Sequence, residues 1–376
     1  MIYLDYQATT PLAPEVFEAM MPLLRDQFGN PHSMHRMGRQ AAAHVELARE
    51  RIAAAMALGV GRIIFTSGAT EALNIAIHGF AQAAPAGRRR IVTLASEHAA
   101  VRDTAMAFSM RGFEIVLLPV GADGIVDLDR ARAAITEGTA LVSAMLVNNE
   151  IGVIQPVDAL AAMAHDAGAP FLCDAVQGFG RVPLPGEADA IAISAHKIHG
   201  PKGVGALWLR AGIDLPPLLH GGGQEQGLRS GTLSPALCAG FGMAAQLAAT
   251  QAAADGAHVA MLWDRALALF DGWTVNGSVD ARYRGNLNIR RDGIDGARLL
   301  SDCRDIAFSL GSACASGSGR PSHVLQAIGL SDKEARGSVR IGFGRYTRID
   351  ELEDAAKAIV DAAAQQAPVA SGAHGP

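Results

Sequence analysis

Two rhythms alternate along the first two thirds of the chain. Short, nearly continuous apolar runs at 62–66 (RIIFT), 90–94, 114–119, 140–147, 170–174, 190–194 and 205–209 read as buried strands. Between them, at 41–58, 70–80, 104–111, 128–135 and 157–167, apolar residues recur every three to four positions, the period of a helix packed on one face. Apolar strands alternating with amphipathic helices predict an α/β fold, a mainly parallel sheet covered on both faces. In such a sheet the polar residues at strand ends face a ligand crevice.

Beyond residue 250 the rhythm changes. An Ala-rich helix runs to about 270, and strand-like segments at 283–289, 306–309 and 338–344 are separated by helical stretches, which reads as a smaller α+β region. The expected division is a large domain over 12–250, a small domain built from 1–11 and 251–364, and a disordered polar tail over 365–376.

Charged residues make up only 18% of the 376, and hydrophobic residues 49%, so the bulk of the chain cannot be disordered. A net charge of -5 gives no general attraction for nucleic acid. No basic leader precedes an apolar run, and the longest apolar stretch, 236–249, is too short and Gly-rich to span a bilayer. The expectation is a cytoplasmic protein with no nucleic-acid or membrane partner. Its four cysteines form no CxxC pair and lie near no His cluster, so no metal site is expected. Cys173 and Cys238 sit in apolar runs and read as small buried hydrophobes. Cys314 lies among Gly, Ser and Ala in SLGSACASGSG, where little can bury it, so it is a candidate nucleophile.

The chain holds only four lysines, and Lys197 directly follows the apolar run 190–194 in SAHKIHGPKG. A lysine at a strand end could form a Schiff base with a carbonyl cofactor; the alternative is an ordinary loop lysine. Asp174 ends the strand PFLCD, where a carboxylate needs a cationic partner. Pyridoxal phosphate asks for that pair, a Schiff-base Lys and an acid at its ring nitrogen. Ser67-Gly-Ala-Thr-Glu71 joins a strand to a helix and could cradle a phosphate, or Ser67 or Thr70 could only cap the helix. His98, just past the strand at 90–94, could stack on a ring and shuttle protons, or be a satisfied structural histidine.

The motifs YLDYQATTP, FGNPHSMHRMGR, FTSGATEALN, SEHAAV, VNNEIGVIQP, CDAVQGFGR, SAHKIHGPKGVGAL, HGGGQEQGLRSGT, GSACASGSGRPSHVL and SVRIGFGRYT occur in that order. With them the chain resembles the cysteine desulfurases of the IscS/NifS type, within the class-V aminotransferase family of fold-type-I pyridoxal-phosphate enzymes. The resemblance covers about residues 2 to 360. It implies a Schiff-base role for Lys197, a ring-nitrogen partner in Asp174, a donor to the phenolic oxygen in Gln177 and a stacking acid/base in His98. It implies phosphate contacts from Ala69, Thr70, Ser194 and His196, and a further one from Thr232 donated by a second subunit, hence a homodimer. Asn149 and Arg340 correspond to the residues that hold the substrate carboxylate, and Cys314 to the nucleophile. The implied reaction converts L-cysteine to L-alanine and leaves a persulfide on Cys314, from which sulfur passes to an acceptor or an iron–sulfur scaffold protein. Alternatives that share the fold are a selenocysteine lyase and another class-V aminotransferase or lyase.

Overall fold

The computed structural model describes residues 1–310 and 322–366. Its strands are β1 (Ile2–Tyr3), β2 (Gly61–Thr66), β3 (Arg90–Leu94), β4 (Glu114–Leu118), β5 (Thr139–Met145), β6 (Phe171–Asp174), β7 (Ala190–Ser194), β8 (Gly205–Arg210), β9 (Thr274–Val275), β10 (Asn286–Arg290), β11 (Ile306–Ala307), β12 (Ser309–Leu310) and β13 (Ser338–Gly342). The helices are α1 (Pro14–Arg25), α2 (Arg36–Met56), α3 (Ala69–Ala83), α4 (Ala99–Ala107), α5 (Leu128–Ala134), α6 (Val157–Asp166), α7 (Pro235–Leu269), α8 (Gly296–Asp302), α9 (His323–Ala327), α10 (Asp332–Arg336) and α11 (Ile349–Gln366).

Seven strands form one sheet in the order β2-β8-β7-β6-β5-β3-β4, parallel except where β8 runs antiparallel to both neighbours. Every residue of β5 is buried, as a strand covered on two faces requires. Alternate residues feed two cores. Ile64, Ile91, Leu141 and Leu172 pack with α3 and α4, while Phe65, Val92, Val142 and Phe171 pack with α1, α2 and the first half of α7. The α/β expectation for this region is met, with a mixed sheet of mainly parallel strands.

A four-stranded sheet, β12-β13-β10-β9, is wholly antiparallel and has its own core around Leu287, Ile289, Val339 and Ile341. The continuous helix α7 crosses residue 250: Phe241 and Ala245 pack in a core of the large sheet, Leu262 and Ala266 in the core of the small one. Val324, Leu325 and Ile328 of the C-terminal third also pack in the large sheet's core.

Several elements differ from the sequence reading. The helix expected at 104–111 begins at Ala99, because the His98 ring accepts the Ala100 N–H and caps it there. It then tightens into a 3₁₀ turn at Phe108–Arg111. The single strand expected at 306–309 is two: β11 pairs in parallel with β1, and β12 joins β13. Gln365 and Gln366, expected to open the disordered tail, belong to α11 instead. Residues 367–376 lie outside the described residues. None of the described helices is long and apolar enough to cross a membrane.

Candidate active site

The C-terminal ends of β3, β5, β6 and β7 and the N-terminus of α3 surround a cavity of about 590 Å³. Each strand end delivers one or two polar groups to it. Asp174 is the last residue of β6, and Ser194 the last of β7. Lys197 follows in a single 3₁₀ turn, Ala195–Lys197. His98 comes four residues after β3, and Asn149 four after β5. The large sheet thus converts separate sequence motifs into one constellation.

The Lys197 ammonium donates to the backbone oxygens of Gln7 and Ala8 at 2.5 and 2.9 Å. Gln177 donates to that Gln7 oxygen at 2.8 Å and accepts from Arg181 at 2.6 Å. Arg181 in turn donates to the Lys197 backbone oxygen at 2.7 Å. Sequence reasoning missed this N-terminal segment as a wall of the site. Its contacts with Lys197 are backbone carbonyls some 190 residues away, which no side-chain pattern announces.

Asp174 is buried, and one carboxylate oxygen accepts the Val176 N–H at 2.9 Å. Burial pushes its carboxyl up, while the Val176 N–H and the nearby His98 and Lys197 pull it back. Behind it, Glu97 is fully buried, with one oxygen taking the Met145 N–H and the other unpartnered among the described residues. Burial first, and the neighbouring Asp174 second, hold the Glu97 carboxyl well above the usual carboxylate range. His196 accompanies Lys197 at the rim. Burial, then Lys197, Lys202 and Arg181, push its imidazole down to about 4, so it is neutral at pH 7.

At the other end, Gly68 precedes α3, and a Cβ there would meet no atom within 4 Å. Gly205 backs this turn so closely that its own Cβ would lie 2.7 Å from the Gly68 carbonyl carbon. The first-turn N–H groups of Ala69 and Thr70 have no intrahelical partner and point the positive end of the helix into the cavity. Lys202 lines the same end.

Arg340 and Asn149 also line the cavity. Arg340 lies mid-strand in β13, 1% exposed, and Asn149 Oδ1 and Arg340 Nε are buried without a partner among the described residues.

Ten of the expected residues line this one cavity: Ala69, Thr70, His98, Asn149, Asp174, Gln177, Ser194, His196, Lys197 and Arg340. Thr232 does not; it is exposed on the surface of the chain. Cys314 lies outside the described residues. Cys173 and Cys238 are buried, and burial pushes the first thiol well up and the second to about 12, which leaves both inert.

A family model described as aminotransferase class-V matches residues 2–354. The cysteine desulfurase IscS of Rickettsia rickettsii (strain Iowa) is 43% identical over 368 residues, which are 95% of this chain and 90% of that one. Among solved structures, a NifS-like protein superposes with a TM-score of 0.90 at 33% identity, covering 96% of this chain and 98% of its own. SspA in complex with cysteine does so with a TM-score of 0.82 at 33% identity, covering 93% and 100%. The chain therefore belongs to the class-V aminotransferases, enzymes that depend on pyridoxal phosphate. Within that family it stands with the cysteine desulfurases of the IscS and NifS type.

The residues present fit that cofactor. The open Gly68 turn and the free N–H groups of α3 suit a phosphate. Asp174 is a buried carboxylate that a protonated ring nitrogen would supply with a counter-charge. Lys197 is a strand-end amine in the same cavity, and His98 offers a ring to stack.

Proposed function

We propose that this chain is a cysteine desulfurase that converts L-cysteine to L-alanine and carries the released sulfur as a persulfide on Cys314. The observation that supports it best is the convergence on one cavity of Lys197, Asp174, His98, Arg340 and Asn149. Bound there, pyridoxal phosphate would supply an electron sink for negative charge at the substrate Cα.

Arg340 and Asn149 hold the substrate carboxylate, the guanidinium offering paired N–H groups. Lys197 would hold the cofactor, and its Nζ would take the proton from Cα. Asp174 would hold a proton on the cofactor's ring nitrogen. His98, whose Nδ1 accepts the Ala100 N–H, would stack its ring on the cofactor and exchange protons with the substrate. Gln177 keeps one amide hydrogen beyond its bond to Gln7, and gives it to the phenolic oxygen. Ala69, Thr70, Ser194 and His196 hold the phosphate, joined by Thr232 from a second copy of the chain in a homodimer. The Cys314 thiolate would attack the substrate sulfur; the S–S bond forms as the Cβ–S bond breaks, the electron pair of that bond stays with the substrate carbon, Cβ takes up a proton, and alanine leaves. The sulfur then passes to an acceptor or scaffold protein for iron–sulfur cluster or other thio-cofactor assembly. A reducing cytoplasm fits the unpaired Cys173, Cys238 and Cys303.

The identity to named desulfurases favours this reading over a selenocysteine lyase or an aminotransferase. The test is the purified yellow protein with L-cysteine, alanine and sulfide being assayed for wild type and Cys314→Ser. The variant should keep its colour and lose sulfur transfer. Sulfide release at the wild-type rate would remove Cys314 from the mechanism.

A further inference from the structure

Arg340 is held by residues far from it in sequence. Its Nη2 donates to Asp5 Oδ1 at 2.8 Å, and its Nη1 to the Asn149 backbone oxygen at 3.0 Å. A guanidinium has five N–H donors, so three remain, and the Nε–H is buried with no partner among the described residues.

Asp5 itself is pre-placed. Its backbone bridges Gly342, two residues beyond Arg340 on β13, and Gly342 donates to the Leu4 oxygen at 2.8 Å. The Tyr3 hydroxyl donates to the Asp5 backbone oxygen at 3.1 Å. These bonds fix the Asp5 carboxylate beside the guanidinium, with 18% of its side chain exposed against 1% for Arg340.

Two arrangements are conceivable when an α-amino acid enters: its carboxylate displaces Asp5, or it binds beside Asp5. The donor count decides. Three free N–H groups are enough for an incoming carboxylate without breaking either existing bond.

We propose that Asp5 is a positioning residue for substrate recognition: it fixes the Arg340 guanidinium so that its unpaired Nε–H stays available to the carboxylate of an α-amino acid. This rests on the assignment of Arg340 as the carboxylate ligand. The Asp5 carboxylate meets Arg340, while its backbone oxygen accepts the Ala8 N–H in the segment that holds Lys197, so a change confined to the side chain acts on the Arg340 contact. It also supplies the buried guanidinium with a counter-charge when no substrate is present.

The experiment uses the cofactor-loaded enzyme and two probes, each titrated by the change in cofactor absorbance. L-Alanine carries the carboxylate; cysteamine has the amine and thiol of cysteine but no carboxylate. Asp5→Ala should weaken L-alanine about tenfold and leave cysteamine unchanged. With L-cysteine its KM should rise by a similar factor, while kcat changes less than about threefold. Asp5→Asn keeps an acceptor oxygen without the charge and should show about a third of that effect. It also guards against an Ala variant that folds poorly. Equal losses for both probes would mean a general structural role and overturn the proposal. Unchanged L-alanine binding in both Asp5 variants would do the same, provided Arg340→Gln, measured alongside, does lose it. If Arg340→Gln also binds L-alanine normally, the carboxylate assignment itself falls, and the role of Asp5 with it.

Discussion

The two sheets bring chemistry to the cavity in opposite ways. The large sheet presents Asp174, Ser194, Lys197 and His98 at strand ends and in the turns just after them. His98 and Asp174 are tied down by N–H groups two residues away, Ala100 and Val176. The small sheet presents Arg340 from the middle of a strand, held by Asp5 and Asn149, which are 335 and 191 residues distant in the chain. One wall is therefore built by local turns on a rigid floor. The other depends on the tertiary fold as a whole. The geometry of His98 and Asp174 should tolerate distant changes that disturb Arg340, whereas Lys197, which donates to the Gln7 and Ala8 oxygens, depends on the same N-terminal segment as Arg340 does.

The sharpest test of the floor is Lys197→Ala. It should cut kcat/KM by at least roughly 10³-fold and abolish borohydride-reducible attachment of the cofactor. Alanine production within tenfold of wild type would show that the strand-end lysine is not the reacting amine.

A change at the seam between the sheets should have an intermediate effect. Glu150 is buried, accepts from the Ser322 hydroxyl, and its backbone oxygen takes the Asn288 amide of β10 at 3.0 Å. Burial raises its carboxyl to about 7, against the opposing pull of Ser322, Arg340 and His98. The ordinary value is 4.5, so between these values the folded chain binds more protons than the unfolded one. The resulting stability is complete below pH 4.5 and is lost as pH rises through 7, on the order of 3 kcal/mol in total. Unfolding free energies from denaturant curves at pH 5 and pH 8 should fall less for Glu150→Gln than for wild type. Parallel declines would mean that Glu150 ionises as an exposed carboxylate does.

The smallest effect concerns α7. Gly256 is exposed in its interior, between the residues that serve the two cores, and an added Cβ there meets nothing within 4 Å. Gly256→Ala should therefore raise stability by about 0.5–1 kcal/mol, seen as a higher Tm. If Tm rises while turnover drops, the helix must flex at that point during the reaction.

The same contrast explains what the sequence could reveal. The floor was legible because a strand, its terminal polar residue and the following turn are contiguous: CDAVQ and SAHK carry their geometry in their order. The phosphate turn was legible for the same reason. Asp5, and the Gln7 and Ala8 carbonyls that hold Lys197, were not legible as site residues. They reach the cavity only after β1 pairs with β11 and the N-terminal segment lies against β13. Glu97 and Glu150 were missed because a charged residue in a motif gives no sign that it is buried. The late start assigned to the helix after His98 has a local cause. A histidine ring caps it in place of the usual Ser, Thr, Asp or Asn, so no familiar start signal marked the position.

Helix α7, at 35 residues, is a rod roughly 50 Å long with one end set in each core. It acts as a lever. A tilt of one degree about one end sweeps the other through about 1 Å, a displacement that at a reacting centre can cost two orders of magnitude in rate. Alignment of the guanidinium with the strand ends across the cavity is thus a matter of angular tolerance. Small changes in packing at the far end of that rod, many residues from any reacting atom, are where rate is most easily lost or tuned.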